Sequence, residues 1–251
     1  MSVAGVGERS EFGSLLSGPN MVRELSPGLY TAFLEGTSAA AYDRKAAVYD
    51  AVVGRSVYHR VFWGTSPRSF ARFGRAAFDA TGEAPVAEIG CGSLLFTAPM
   101  YRAARRRDPV VLVDRSLGML RRGLTRIALG DGQPPAGIAM LHADAAALPL
   151  RAATLSTILS LNLLHVPCNR RAITAEWARL LVPGRGRLFV SALVRSRRWS
   201  DVWLSLLHRA GELGPPFTVE ELRDMIAGGW AVVESMTVEG NMCFIVARHA
   251  G

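Results

Sequence analysis

The sequence predicts an α/β protein with a doubly wound, mostly parallel sheet, and three observations carry that prediction. Five short apolar segments alternate with segments of helical spacing between residues 84 and 194. A tight turn around Gly240 then joins two further strand-like segments near the C-terminal end. The chain has 251 residues, 49% of them hydrophobic, which is enough for one large domain with a buried core.

The first third of the chain precedes this alternation. Residues 1–37 are rich in glycine and serine with weak periodicity, which predicts a flexible arm or a lid. From Ser38 the segment SAAAYDRKAAVYDAVV has apolar residues at helical spacing, and Ser66-Pro67 begins a second helical segment. We therefore expect a helical cap over residues 38–82 and a core over 83–251, the two forming a single domain from 38 to 251.

Seven strands are predicted in the core. Ser116 is a suitable N-cap for the helix LGMLRRGLTRIAL. Five strands that alternate with helices imply a parallel sheet covered on both faces, and a closing hairpin of WAVVESMTV and MCFIVAR adds an antiparallel strand. The five alternating strands are APVAEI (84–89), PVVLVD (109–114), GIAMLHAD (137–144), TLSTILSLN (154–162) and RLFVSALV (187–194).

Composition narrows the class of partner. The formal net charge is +8, and arginine supplies nearly all of the positive charge because Lys45 is the only lysine. Arginine-rich chains occur in nucleic-acid binders, but also where a GC-rich genome favours arginine codons. The arginine pairs and triplets are short and scattered, and none is interleaved with aromatic residues as single-strand binding requires. No nucleic-acid partner is expected.

Cysteine usage and hydropathy add further expectations. Three cysteines without CxxC spacing give neither a disulfide framework nor a structural zinc site, so no metal is expected. The N-terminal residues lack the pattern of a signal peptide, and the longest near-apolar run, 154–167, is too short to span a bilayer. The expectation is a cytoplasmic protein without a membrane span.

Polar residues stand at the predicted carboxyl ends of four strands. In an open parallel sheet, ligands bind in the crevice at those ends. The chain has no GK[ST] signature, which excludes a P-loop nucleotide site. The candidate residues in this crevice are Glu88 with the loop Gly90-Cys91-Gly92, then Asp114, Asp144 and Asn162, with His165 beyond.

The glycine loop favours a cationic ligand over a dinucleotide. A dinucleotide loop needs a third glycine, which here is Leu95, and the neighbouring Leu94 is no glycine either. Glu88 would repel a pyrophosphate held by the loop, and the same carboxylate would attract an ammonium group. Leu94 is expected to crowd the loop, so that Leu94→Gly would raise ligand affinity.

Five motifs in this order and spacing resemble the class I S-adenosylmethionine-dependent methyltransferases. They are EIGCG, VDRSLGML, HADAAALPL, LNLLHVP and LVPGRGRLFVSAL. Within that superfamily the chain is similar to the small-molecule branch that includes the quinone (type 11) methyltransferases, over about residues 40 to 248. The resemblance implies a Rossmann-like core, S-adenosyl-L-methionine as the cofactor and methyl transfer as the reaction.

The resemblance also implies a role for each candidate residue. Asp114 would hold both ribose hydroxyls, with Arg115 beside it in the same motif. Asp144 and the backbone amide of Ala145 would read the edge of the adenine. The methionine end would be lined by Glu88, Gly90, Cys91, Gly92 and Asn162, and Tyr42 of the cap would close over the cofactor.

Methyl transfer to a small organic acceptor by in-line displacement asks a protein mainly for alignment and exclusion of water. His165 is the candidate general base; the alternative is a packing histidine in the LHVP turn. Cys168 follows a proline as the nucleophile of RNA cytosine methyltransferases does, or is simply a small residue before a helix. Aromatic residues of the cap and after the fifth strand either form an acceptor pocket for an aromatic or hydrophobic group or pack the core.

Three other functions stay open at this point. They are a non-catalytic or repurposed S-adenosylmethionine-binding protein, an NAD-dependent oxidoreductase and a nucleic-acid methyltransferase. The sequence does not identify the atom that is methylated, and it leaves the oligomeric state open.

Overall fold

The computed structural model of the protein describes residues 11–18, 21–33, 63–82, 84–104, 108–130, 132–166, 169–196 and 198–251. Tyr42, Cys168 and residues 38–62 of the predicted cap lie outside these ranges. The division into arm, cap and core therefore stays a prediction.

The described residues form nine strands and six α-helices, with a short 3-10 helix at Gly13–Leu15. The strands are β1 (Arg23–Ser26), β2 (Leu29–Thr31), β3 (Val86–Ile89), β4 (Val110–Asp114), β5 (Ile138–His142), β6 (Thr157–Leu161), β7 (Arg187–Leu193), β8 (Ala231–Glu239) and β9 (Met242–His249). The helices are α1 (Pro67–Asp79), α2 (Ala98–Ala103), α3 (Leu117–Ile127), α4 (Arg170–Leu180), α5 (Arg198–Arg209) and α6 (Val219–Ala227).

One sheet contains all nine strands in the order β1-β2-β5-β4-β3-β6-β7-β9-β8. The seven predicted strands are all present, and β3 to β7 pair only in parallel with one another. β9 is antiparallel to both β7 and β8, as the predicted hairpin requires. The mostly parallel α/β fold with an antiparallel C-terminal hairpin is thus confirmed.

The sheet has two more strands than the sequence predicts, and both come from the segment read as a loose arm. β2 pairs in parallel with β5, and its residues Leu29 and Thr31 are buried. Gly28, at φ 74°, turns the chain between β1 and β2. A three-residue strand is too short to show an alternating pattern. Only the turn between the two strands is recognisable in the sequence, and a turn by itself predicts a loop.

Local signals explain where the helices begin. Ser66 Oγ accepts a hydrogen bond from the Ser69 amide and Pro67 opens α1, while Ser116 Oγ accepts from the Met119 amide at the start of α3. Both predicted helix starts are confirmed. None of the helices in the described part of the chain is long and apolar enough to cross a membrane.

The core lies on both faces of the sheet. α4 and α6 cover one face through Trp177 and Ile226, and α2 and α3 cover part of the other through Tyr101 and Leu120. A third cluster around Phe70 of α1 packs over β6, β7 and β9. Because both faces of β3 to β6 are covered in this way, we expect a site in the crevice at their carboxyl ends, where ligands bind in open parallel sheets.

Candidate active site

The strand order reverses between β3 and β6, because β4 leads away from β3 on one side and β6 lies on the other. In doubly wound sheets this is where a crevice forms at the carboxyl ends of the strands. A cavity lies there, and it brings together five of the predicted site residues. Its lining consists of Glu88, Gly90, Cys91, Gly92, Ser93, Leu95, Phe96, Thr97, Leu161 and Asn162.

The amides of the glycine loop are already used inside the protein. The amides of Gly90 and Cys91 both donate to the Val113 carbonyl, at 2.8 and 2.9 Å, and the Gly92 amide donates to Asp114 Oδ2 at 2.8 Å. A phosphate-binding loop needs such amides free to point at the ligand. This loop therefore does not suit a pyrophosphate, which agrees with the argument from Glu88.

The two glycines of the loop do different work. Gly90 has φ 75°, and a Cβ there would lie 3.0 Å from Leu163, so side-chain bulk would press on that residue. Gly92 has φ 54°, and a Cβ there would meet no atom within 4 Å. Open space in front of Gly92 is what a ligand that approaches the backbone closely requires.

Glu88 is a buried carboxyl group, 2% exposed, at the end of β3. Its Oε1 accepts a hydrogen bond from Thr97 Oγ1 at 3.3 Å, and its Oε2 is buried without a well-formed hydrogen bond in the described part of the chain. Burial raises the pKa of Glu88 to about 7; the hydroxyls of Tyr101 and Thr97 act in the opposite direction, and the charge of Asp114 raises it further.

Asn162 follows the last residue of β6, the strand that pairs with β3, on which Glu88 lies. Its backbone is left-handed, φ 61°, and its amide donates to the Ser191 carbonyl at 3.0 Å. Asparagine tolerates this conformation better than most residues, which explains its use at a strand end that turns sharply. Its side-chain Oδ1 is buried and has no hydrogen-bond partner among the described residues. Like Glu88, it lines the cavity.

Asp114 ends β4 with a carboxylate held in a fixed plane. Its Oδ2 accepts from the Gly92 amide and its Oδ1 accepts from the Ser116 amide, both at 2.8 Å. Each oxygen of a carboxylate has two lone pairs, so a carboxylate can accept hydrogen bonds from two neighbouring hydroxyl groups at once. The side chain is partly exposed at the rim of the crevice, where it can meet a pair of hydroxyl groups.

Asp144 lies two residues beyond β5 and continues this edge. Its Oδ1 accepts from the Ala146 amide at 2.9 Å, and its Oδ2 lies 4.0 Å from Arg115 Nη1. Ala145 is partly buried against the core. The structure thus joins Arg115 and Asp144, while the hydrogen bond from Gly92 joins Asp114 to the cavity.

His165 is placed differently from the other candidates. It is 7% exposed, it does not line the cavity, and its Nδ1 accepts a hydrogen bond from the Leu193 amide at 3.1 Å. Burial lowers the pKa of His165 to about 3, and the charge of Arg170 contributes to the fall. A group of such low basicity is a weak general base at neutral pH.

Two further residues of the loop are core residues. Cys91 is buried and unpaired with any cysteine, and burial raises the pKa of its thiol well above the usual value, which keeps the thiol protonated at neutral pH. Leu94 has a left-handed backbone, φ 57°, and is 1% exposed against Gly123 and Met140. The expectation that Leu94 crowds the ligand is wrong, because its side chain points into the core and does not line the cavity.

Comparison with known proteins identifies the domain. Residues 86–184, which run from β3 to the turn before β7, match the family model described as a methyltransferase domain. With the strand order above, that match shows that the chain contains a methyltransferase domain of the S-adenosylmethionine-dependent kind. Its cofactor is S-adenosyl-L-methionine. The full sequence has no significant match among curated proteins.

Solved structures agree on the fold of this methyltransferase. The [4+2]-cyclase SpnF is 14% identical, with a TM-score of 0.65 over 84% of this chain and 94% of that one. Geranyl diphosphate C-methyltransferase from Streptomyces coelicolor A3(2), crystallised with S-adenosyl-L-homocysteine, is 12% identical, with a TM-score of 0.56 over 70% and 74% of the two chains. A methyltransferase from Thermotoga maritima is 17% identical, with a TM-score of 0.56 over 82% and 99%. At these identities the likeness shows the fold alone.

The cavity fits the methionine end of this cofactor. Two buried oxygens, Glu88 Oε2 and Asn162 Oδ1, stand without well-formed hydrogen bonds in the described residues, and an ammonium group supplies the donors that they need. The described residues contain no group of three metal-ligating side chains.

Sequence reasoning missed the residues that support these groups. Thr97, which precedes α2, and Tyr101 within α2 interact with the Glu88 carboxyl, and Ser191 of β7 holds the backbone of Asn162. A buried acid needs nearby donors, and the hydroxyls nine and thirteen residues after Glu88 were the available signal. No comparable signal links Ser191 to Asn162, because the two meet only through strand pairing.

Proposed function

We propose that this methyltransferase acts on a small organic acceptor with an apolar part, and that the loop after β3 and the ends of β4, β5 and β6 hold its cofactor. The observation that carries this proposal is the pair of buried acceptor oxygens, Glu88 Oε2 and Asn162 Oδ1, in the cavity beside Gly92. A dinucleotide phosphate has no donors to offer them, whereas an amino acid ammonium has three.

Each part of the cofactor would contact a different group of residues. Glu88 and Asn162 would hold the methionine ammonium, and the Asp114 carboxylate, which the Gly92 and Ser116 amides orient, would accept from both ribose hydroxyls. The adenine edge would lie beside Arg115, Asp144 and Ala145. When bound, S-adenosylmethionine supplies a methyl group already activated by its sulfonium. The chain's own task is then to orient the acceptor and exclude water.

The acceptor side of the crevice supports an apolar substrate. Phe96 lines the cavity and stacks on Phe70, with 4.6 Å between the ring centroids. Phe70 in turn packs on Phe244, which belongs to a cluster that includes Trp63 and Leu193. A wall of this kind buries hydrophobic or aromatic surface and keeps water from the reacting atoms.

Binding experiments test the cofactor site first. S-adenosylhomocysteine and NADH are titrated separately into the wild-type protein by calorimetry, and only the first should bind. The variant Asn162→Gly suits the left-handed backbone and removes the side chain that carries Oδ1. We expect about tenfold weaker binding of S-adenosylhomocysteine, and unchanged binding of methylthioadenosine, which lacks the amino acid group.

Methyl transfer tests the reaction. Labelled S-adenosylmethionine is incubated with a panel of small apolar acceptors and, separately, with RNA at two salt concentrations. Transfer to a small acceptor supports the proposal, and salt-sensitive transfer to RNA overturns its substrate class. Tight cofactor binding with no transfer across the panel would favour the alternative of a repurposed cofactor-binding protein.

A further inference from the structure

His142 is a buried histidine at the end of β5 with a hydrogen bond at each ring nitrogen. It is 8% exposed, and it pairs with Asp114 of β4 on one side and with Thr31 of β2 on the other. Nε2 lies 3.0 Å from the Arg115 carbonyl and Nδ1 lies 3.0 Å from Thr31 Oγ1. A carbonyl can only accept, so Nε2 carries the proton, and in the neutral ring Nδ1 accepts from the Thr31 hydroxyl.

The bond from Nε2 holds a peptide group that also holds the ribose acid. The Arg115 carbonyl accepts from His142, and the other end of the same peptide, the Ser116 amide, donates to Asp114 Oδ1 at 2.8 Å. A peptide group is planar and rigid, so fixing its carbonyl fixes the direction of its N–H. His142 thereby sets the donor that orients the Asp114 carboxylate.

The bond at Nδ1 connects this peptide to the N-terminal segment of the sheet. Thr31 Oγ1 accepts from the Phe33 amide at 3.2 Å, and the Ala32 amide donates to the His142 carbonyl at 2.9 Å. The Phe33 ring lies on the His142 ring, with 4.5 Å between the centroids. The two strands that the sequence did not predict thus secure His142 from outside the cofactor crevice.

We propose that His142 is a positioning residue for the cofactor's ribose, acting through the 115–116 peptide on Asp114, with Thr31 holding its ring. The inference rests on the proposed function, because it assumes that Asp114 binds the ribose hydroxyls. It assigns a function to the added N-terminal strands: they support the adenosine end of the site although none of their residues lines the cavity.

Two conservative variants separate the bonds of His142. His142→Gln places an amide nitrogen near the position of Nε2 and so keeps a donor to the Arg115 carbonyl. His142→Asn keeps an oxygen near the position of Nδ1 but has no donor that reaches Arg115. We expect S-adenosylhomocysteine to bind about tenfold more weakly to His142→Asn and within about twofold of wild type to His142→Gln.

A second ligand distinguishes positioning from loss of structure. The 2′,3′-dideoxy analogue of S-adenosylhomocysteine lacks the hydroxyls that Asp114 would hold, so its affinity should be the same in wild type and His142→Asn. Equal losses for both ligands in His142→Asn would overturn the inference, since a merely structural defect weakens both. Equal affinity of all three proteins for S-adenosylhomocysteine would also overturn it.

The wild-type titration tests the proposed cofactor site separately from the positioning role of His142. If wild-type protein binds S-adenosylhomocysteine and discriminates against the dideoxy analogue, the proposed ribose contact holds, and the variants then decide the role of His142. If wild-type protein binds neither ligand, the proposed function fails and the inference falls with it. Thr31→Val removes the bond to Nδ1 together with the acceptor of the Phe33 amide, and we expect a loss of about threefold for S-adenosylhomocysteine alone.

Discussion

The two ends of the cofactor crevice are prepared in opposite ways. At the end that we propose for the ribose, called the ribose end below, both oxygens of Asp114 accept hydrogen bonds from backbone amides, and Asp144 accepts one from the Ala146 amide. At the methionine end, Glu88 Oε2 and Asn162 Oδ1 are buried without well-formed hydrogen bonds within the described residues. One end is therefore complete without a ligand, and the other is not.

The difference assigns separate tasks to the two ends. A carboxylate already fixed by amides loses little conformational freedom when a ligand arrives, so the ribose end provides a preformed anchor. A buried acceptor without a donor costs the fold about 1 to 3 kcal/mol, and a ligand that supplies the donor recovers that cost. The methionine end therefore couples cofactor binding to protein stability more strongly than the ribose end does.

Asp114→Ala should give the largest effect, because it removes the anchor. The variant deletes both acceptors for the ribose and leaves the amides of Gly92 and Ser116 without their partner. We expect affinity for S-adenosylhomocysteine to fall more than about 100-fold, below detection by calorimetry. Asp79→Ala, an exposed acid of α1, is the control. Unchanged affinity in Asp114→Ala would refute the assignment of this end.

Glu88→Gln tests the other end through pH. In the folded protein without cofactor, the pKa of Glu88 is raised by burial from 4.5 to about 7. Between these values the unfolded chain has lost a proton that the folded chain keeps, so the free energy of unfolding falls as pH rises from 4.5 to 7 and then levels off. The full difference corresponds to about 3 kcal/mol.

The measurement compares unfolding of wild type and Glu88→Gln at several pH values. As pH rises through that window, we expect the free energy of unfolding of the variant to rise relative to that of wild type by up to about 3 kcal/mol. For the control Glu11→Gln, at an exposed residue, the difference from wild type should not change with pH. The ionised carboxylate binds an ammonium better, so wild-type affinity for S-adenosylhomocysteine should rise with pH up to about 7. If the difference in the free energy of unfolding between wild type and Glu88→Gln did not depend on pH, the raised pKa of Glu88 would be refuted.

The contrast between the two ends was only partly predictable from sequence. The residues that end each parallel strand are visible as polar positions after apolar runs, and on this basis the sequence predicted a shared crevice for Glu88, Asp114, Asp144 and Asn162. The structure places Glu88 and Asn162 in the cavity lining. The hydrogen-bonding state of the four side chains was not visible. It depends on backbone amides in other loops, such as that of Gly92 for Asp114, and these contacts form only when the strands pair.

The N-terminal strands show a second limit of the sequence. Strand signals depend on alternation over several residues, and β2 has three residues, so Thr31 gave no indication that it would lie beside His142. The position of Leu94 shows a third limit. A leucine within the glycine loop suggested crowding of the ligand, yet the side chain of Leu94 fills space that Gly123 leaves open in α3.

Leu94→Gly should therefore change stability more than binding. Loss of a buried leucine side chain costs about 2 to 5 kcal/mol, and relief of the left-handed backbone returns about 1 to 2. We expect the free energy of unfolding to fall by about 2 kcal/mol, with affinity for S-adenosylhomocysteine within about twofold of wild type. A marked gain in affinity would show that the methionine end is crowded after all.

His165→Asn should give the smallest effect. The variant keeps an oxygen near the position of Nδ1, so that the Leu193 amide retains an acceptor. It removes the N–H group at Nε2 of the neutral ring. Since burial lowers the pKa of His165 to about 3, a general-base role would need a proton acceptor of very low basicity. We expect kcat within about twofold of wild type, and the same dependence of kcat on pH between 5 and 9.

The contrast with His165→Ala isolates the structural role of the ring. That variant leaves the Leu193 amide buried without an acceptor, which should lower the free energy of unfolding by about 1 to 3 kcal/mol. Wild type itself should lose stability as pH falls from 6.5 towards 3, because the unfolded chain protonates His165 first. If His165→Asn instead lowered kcat about 100-fold or more, His165 would act on the acceptor, and the crevice would contain a catalytic group besides its two cofactor-binding ends.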